Sequence, residues 1–239
     1  METQEEVKLA TGLTIGMREA NAEDEGVLTK QGYKEDNTSV ARYLSNIITH
    51  VDGNDIKLQY SQIMDWPIAD KYLAFLHSRI KNYGSDLEFK YKFEDGLEIS
   101  LTQDLNEFLD LKDKGCKPYP FQKETKFDFA TSTGKMIKYK LLNSYGEKLI
   151  AQKERESLNV LDIFKSRFLE WDPVNNGAWI VVENFRDFSV KESVEIRKHI
   201  ASTEVNFDLY IEVNHPTIPK YNTYINLMHI PDFLAPLGI

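Results

Sequence analysis

Leu87, Phe89, Tyr91 and Phe93 alternate with Glu88, Lys90 and Lys92, and beyond Asp95-Gly96 the alternation resumes with Leu97, Ile99 and Leu101 against Glu98 and Ser100. A period of two on both sides of an Asp-Gly pair predicts a β-hairpin with one apolar face, which has to lie over a core. Phe207, Leu209, Ile211 and Val213 alternate in the same way with Asp208, Tyr210 and Glu212. A longer turn from Asn214 to Pro219 and a return over Tyr221 to Leu227 then predict a second hairpin.

Other stretches carry a period of three to four. Ile68, Tyr72, Phe75, Leu76 and Ile80 form one stripe, opened by Asp65-Trp66-Pro67 and stopped at Gly84. Proline is tolerated at a helix start because the N–H it lacks would be unpaired there, and glycine suits the exit. Val40, Tyr43, Leu44, Ile47 and Ile48 predict a helix ending near His50, before Asp52-Gly53. Leu158, Leu161, Ile163, Phe164, Phe168 and Leu169 predict another, broken by Asp172-Pro173. Ser189 with Glu192 has the pattern of a capping box, and Val190, Val194, Arg197 and Ile200 or Ala201 carry that helix onward. Leu13 to Met17, Phe127 to Ala130, Met136 to Leu142 and Trp179 to Val182 read as short strands. Asn21, followed by Glu23, Asp24 and Glu25, is placed to cap a helix whose positive end favours acids. Asn143 or Ser144 is placed to cap its counterpart, running into Arg155.

These elements repeat. Ala10 to Leu28 laid over the stretch that starts near Phe127 matches Thr11 with Thr133, Gly12 with Gly134, Ile15 with Ile137, Asn21 with Asn143 and Glu25 with Glu147. A period of roughly 120 residues is too long for a solenoid. The fold expected is therefore α+β, in two related half-domains, each with short strands, two helices and a closing β-hairpin. Lys112 to Lys126 is rich in charge, Pro and Gly and lacks an apolar period, so it is the candidate connection. The expected division is a first repeat over 1–114, a linker over 115–126 and a second repeat over 127–239.

Composition narrows the functional classes. The 239 residues are 41% hydrophobic and 12% aromatic, enough for packed cores. A net charge of -9, from 29 Lys+Arg against 38 Asp+Glu, argues against nucleic-acid binding, which depends on neutralising phosphates. Cys116 is the single cysteine, so no intramolecular disulfide forms, and a reduced cytoplasmic setting is expected. No apolar run is long enough to span a bilayer, and the acidic start METQEEVK is the reverse of a secretory leader.

Candidate chemistry is sparse. Ser132-Thr133-Gly134-Lys135 shares part of a phosphate-binding loop, but lacks its first glycine and has Met136 where a hydroxyl should hold Mg²⁺. It reads as a turn between strands. His50, His77, His199, His215 and His229 include no H-x-x-x-H pair, and one cysteine makes a structural zinc site improbable. His77 reads as a structural helix residue and His215 as a loop residue. Cys116 beside lysines reads as an incidental thiol rather than a nucleophile. No paired carboxylates stand in an apolar setting. Catalytic residues, metal ligands and cofactor are accordingly expected to be none. The apolar C-terminal stretch from Ile230 to Ile239 is cut by Pro231 and Pro236 and cannot be a helix. It is expected to pack back onto its own half up to Leu234, as the corresponding Leu105 to Leu109 suggests, leaving Pro236 to Ile239 as a projecting tip.

The residues STGKMIKYKLLNSYGEKLIAQ, followed by a helix, an Asp-turn, a second helix and an alternating hairpin, resemble the T4-type bacteriophage baseplate (hub) protein family. The resemblance covers most of Phe127 to Leu234 and, more faintly, Val7 to Leu109, including Met17-Arg18-Glu19 and Asp24-Glu25. Many relatives carry cysteine pairs in the hairpin. Phe93-Glu94-Asp95-Gly96 and Val213-Asn214-His215-Pro216 stand there instead, which removes any zinc-knuckle expectation. The resemblance implies a structural subunit or assembly factor of a contractile-tail baseplate hub that acts by protein–protein binding. Its partners would be other hub or tail proteins, with no nucleic acid and no membrane. Its place would be the host cytoplasm during assembly, or the virion baseplate. Trp66, Trp179, Phe233, Leu237 and Ile239 are the partner-binding residues such a role would use. Two other classes are a peptide-binding adaptor and an enzyme with a site between the halves.

Overall fold

The structure, a computed structural model, describes residues 6–109, 125–151, 159–174, 176–204, 207, 209–230 and 233. Most of the expected linker, with Cys116, lies outside these residues, as do Leu237 and Ile239.

The α+β class is as expected, with eight α-helices and four antiparallel sheets among the described residues. The first half runs β1 (Glu6–Lys8), β2 (Thr14–Met17), α1 (Ala22–Thr29), α2 (Gln31–Glu35), α3 (Ser39–Ile47), β3 (Ile48–Val51), β4 (Asn54–Asp55), α4 (Tyr60–Met64) and α5 (Ile68–Tyr83). It closes with the hairpin β5 (Asp86–Lys92) and β6 (Glu98–Asp104) and a 3₁₀ turn, Leu105–Phe108. The second half runs β7 (Lys126–Ala130), β8 (Met136–Lys140), α6 (Ser144–Ala151), α7 (Val160–Ser166), β9 (Glu170–Asp172), β10 (Ile180–Val181) and α8 (Val190–Thr203). It closes with β11 (Tyr210–Val213), β12 (Thr223–Asn226) and a 3₁₀ turn, Leu227–His229.

The two successions correspond down to single hydrogen bonds. The sheets have the orders β1-β2-β3-β4 and β10-β9-β8-β7, so each copy lays its strands side by side in chain order. Gly12 and Gly134 turn the first two strands of their copies at φ 86° and 88°, a region that side chains disfavour. The Thr11 hydroxyl donates to Asp70, and that of Thr133 donates to Glu192, 59 positions on in both cases. Ala20 N–H donates to Asn82 Oδ1 and Leu142 N–H to Glu204 Oε1, each across 62 positions.

The apolar cores do not divide where the linker does. Ile137, Tyr139, Phe164, Leu169, Val182, Ile196 and Ile200 make a small core of their own between the second sheet, α7 and α8. The larger core takes Ile15, Met17, Tyr43, Leu44, Phe75 and Leu76 from the first half, and also Leu209, Ile211, Val213, Leu227, Ile230 and Phe233 from the last hairpin. The closing hairpin of the second copy thus packs with the first half, not with its own. Its tip meets the equivalent tip: His215 Nε2 lies 3.1 Å from Asp95 Oδ2, 120 positions away. The amides of Thr217 and Ile218 donate to His215 Nδ1, so the proton sits on Nε2 and points at Asp95. The ring also meets Phe93 edge-on at 4.6 Å. His215 is thus a loop residue, as expected, and a buried one that locks the two hairpin tips together.

Two helices are shorter than their apolar periods suggest. α3 ends at Ile47, and Ile48–Val51 pairs with β2 instead of continuing the helix to His50. α7 ends at Ser166, the chain reverses at Phe168 with φ 51°, and Glu170–Asp172 pairs with β8. Short apolar runs fit either period, and the pairing with an open strand edge decided both cases. α5 is buried around most of its surface, so Asp70, Lys71 and Arg79 are as enclosed as Phe75 and Leu76.

Candidate functional site

The halves meet along α5 and the start of α6. Ile68 N–H donates to Leu142 O at 2.8 Å, and Asn143 Nδ2 donates to Asp65 Oδ1 at 3.3 Å. Beside this seam lies a cleft of about 610 Å³, lined among others by Val40 of α3, Lys71 and Tyr72 of α5, Glu147 of α6, and Phe207 and Met228 around the last hairpin. Clefts of this volume between packed units are where ligands and partner segments commonly bind.

A polar cluster forms one wall. Lys71 Nζ donates to Ser144 Oγ at 2.8 Å and to Glu147 Oε2 at 3.1 Å, while the Tyr72 hydroxyl donates to Glu147 Oε1 at 2.8 Å. The Lys71 ammonium also lies 4.3 Å from the centroid of the Tyr72 ring. Burial pushes the Lys71 pKa down against the pull of Glu147. Burial, then the neighbouring Glu147 carboxylate, push that of Tyr72 well up. A serine next to a buried lysine is a pairing that can activate a nucleophile. Ser144, however, is fully buried, so its oxygen is closed to a substrate. The arrangement is suited to holding α5 against α6 while lending the cleft a charged floor.

The cluster was not singled out in the sequence, although one signal was present. Lys71 stands three positions after Ile68 and four before Phe75, inside the apolar stripe of α5. A lysine there must either reach solvent or find a buried partner, and Glu147 supplies one.

The residues expected to contact partners are scattered. Trp66 is half-buried against the larger core. Trp179 is half-buried beside β10, with Lys138 Nζ 3.8 Å from its ring centroid. Phe233 is fully buried, its ring 5.9 Å from that of Phe75, so it serves this chain's own core and is not displayed to a partner. The C-terminal stretch therefore packs back, as expected, but Ile230 and Phe233 do so on the first half rather than on their own; 234–239 lie outside the described residues. Ser132–Lys135 is a turn between β7 and β8, where Lys135 Nζ donates to Asp187 O at 2.6 Å and to Glu192 Oε2 at 3.2 Å. Among the described residues no group of three or more His, Cys, Asp or Glu is placed to hold a metal ion. No described helix is long and apolar enough to cross a membrane.

Comparison with protein-family models, with curated proteins and with solved structures gave no match.

Proposed function

We propose that this chain is a structural or assembly protein of a contractile-tail phage baseplate hub, and that it works by binding a segment of another hub or tail protein in the cleft between its halves. The observation that carries this reading is the cleft itself. Its lining combines apolar Phe207, Leu209 and Met228 with polar Lys34, Asn37 and Lys71, a mixture that suits an amphipathic segment of a partner protein. Tyr210, which lines the cleft, and Tyr224 on the neighbouring strand are 39% and 68% exposed and extend the aromatic surface outward. Exposed tyrosines combine large contact area with a hydrogen-bonding tip, which is why they recur at interfaces. The likeness of STGKMIKYKLLNSYGEKLIAQ and its following elements to the baseplate family is what supports a contractile-tail system as the setting.

The test is quantitative mass spectrometry of the chain in purified tailed particles and in the unassembled pool of the same lysate, with affinity capture of hub proteins. A fixed copy number in particles, or abundance in the lysate bound to hub proteins, supports the reading. In the capture assay Phe207→Ala should lower recovery of the bound protein about 10-fold, the effect of losing one apolar anchor. Capture of no tail or hub component by the folded chain would overturn it.

A further inference from the structure

The duplicated sheets differ at one edge. In the first copy the last strand, β4, is Asn54–Asp55, both exposed and polar, with Asp55 paired to His50. Charged and polar residues at an open edge are the usual protection against pairing with another chain. In the second copy the same place is held by β10, whose Ile180 and Val181 are 48% and 57% exposed. β10 is the end strand of its sheet among the described residues.

The register shows what this edge offers. Ile180 stands opposite Trp171, Val181 opposite Glu170, and Val182 N–H donates to Leu169 O at 3.0 Å. Hydrogen-bonded pairs alternate along an antiparallel ladder, so Val182 and Ile180 face β9 while the N–H and C=O of Val181 point away from it. The same alternation turns the backbone of Trp179 and Glu183 outward. Val181 shares its sheet face with Glu170 and Lys138, and Lys138 Nζ lies over the Trp179 ring on that face. The edge therefore shows, in order, an aromatic ring carrying an ammonium, a valine and an exposed glutamate.

We propose that β10 pairs antiparallel with β10 of a second copy of this chain, about a two-fold axis at Val181, joining the two four-stranded sheets into one. With the axis there, Val181 exchanges both its backbone bonds with its symmetry mate. Trp179 comes opposite Glu183 of the other copy, so each Glu183 carboxylate meets a Lys138 ammonium, twice over. The edge is complementary to itself in backbone, in shape and in charge, which is the requirement for an isologous contact. This inference does not depend on the hub reading, because it uses a different surface.

The experiment is sedimentation velocity of the full chain from about 5 to 200 µM, a range that brackets a micromolar dimer, with thermal melts to confirm that each variant is folded. The wild-type chain should pass from monomer to dimer within that range. Glu183→Lys sets like charges across the axis and should weaken the dimer at least ~10-fold. Glu183→Lys combined with Lys138→Glu restores the pairing with signs exchanged and should recover the dimer. A wild-type chain that stays monomeric throughout, or a dimer indifferent to both charge changes, would overturn the proposal.

Discussion

Asp70 and Glu192 occupy the same place in the two copies and titrate in opposite directions. Burial raises Asp70 to about 6 against the hydroxyl and amide of Thr11 and the amide of Ala10, with no cation among its partners in the described residues. At Glu192 burial also opposes ionisation, but Thr133, Ser189 and Lys135 outweigh it and hold the group at about 2. At Asp70 burial dominates, whereas Glu192 also gains the capping Ser189 amide and the Lys135 ammonium; the first copy has Leu13 in the turn position of Lys135. A raised carboxyl pKa means the folded state binds the proton more tightly than the unfolded chain. Stability from Asp70 is therefore fully present below about 4, the unfolded value, and is lost as pH rises through about 6. The difference corresponds to about 3 kcal/mol by proton linkage. Glu192 acts the other way, its contribution disappearing as pH falls from about 4 toward about 2. Chemical denaturation of Asp70→Asn should remove the stability change between about pH 4 and 6 and leave the acid limb below it. At the seam, Glu147→Ala strands the enclosed Lys71 ammonium and should cost about 3–5 kcal/mol, whereas Lys71→Met with Glu147→Leu should cost less than Glu147→Ala alone. Urea midpoints of the three chains decide the order.

Among the elements, α6 and α7 pack most closely at a residue that has no side chain. A Cβ on Gly146 would overlap the Ser166 carbonyl oxygen and lie 2.9 Å from its carbonyl carbon. Backbone cannot yield as a flexible side chain does, so Gly146→Ala must push the helices apart. It should cost about 3 kcal/mol through overpacking, read as a lowered melting temperature. The first copy has Asp24 at the matching position, where Arg18 binds it at 2.7 Å, and so packs this helix differently. Such differences set the limit of what the chain's pattern reveals. The hairpin around Asp95-Gly96, the Asn21 and Ser189 caps and the exit of α5 at Gly84 were legible, because each rests on local chemistry that few other conformations satisfy. β3 and β9 were not, because Ile48 and Leu169 extend a helical period by one apolar residue and the competing strand edge is distant in sequence. The Lys71–Ser144–Glu147 cluster was hidden for the same reason: Lys71 lies 73 and 76 positions from Ser144 and Glu147.

At the scale of the molecule, the matching patterns of the two halves are legible in the chain but the sharing of a core between them is not. Both hairpins show the same alternation, and nothing in that alternation says which helix an apolar face will cover. The last hairpin and the residues after it, with Leu209, Ile211, Leu227 and Phe233, complete the core of the first half, while Ile137, Tyr139, Phe164, Ile196 and Ile200 form a smaller core of their own. Phe233→Ala in the full chain separates this arrangement from two self-contained halves. Removing a fully buried ring that packs on Phe75 should cost about 3–5 kcal/mol. Hydrogen exchange then reports where the loss falls, since protection follows the cooperative unit that opens. With a shared core, amides of α3 and α5 lose protection in step with those of β11 and β12, and α8, packed through Ile196 and Ile200, keeps more of its own. If each half held its own hairpin, α8 would loosen and α5 would not. The tip contact between His215 and Asp95 sharpens the contrast, because it couples the first hairpin to the last and should carry the disturbance into β5 and β6 as well.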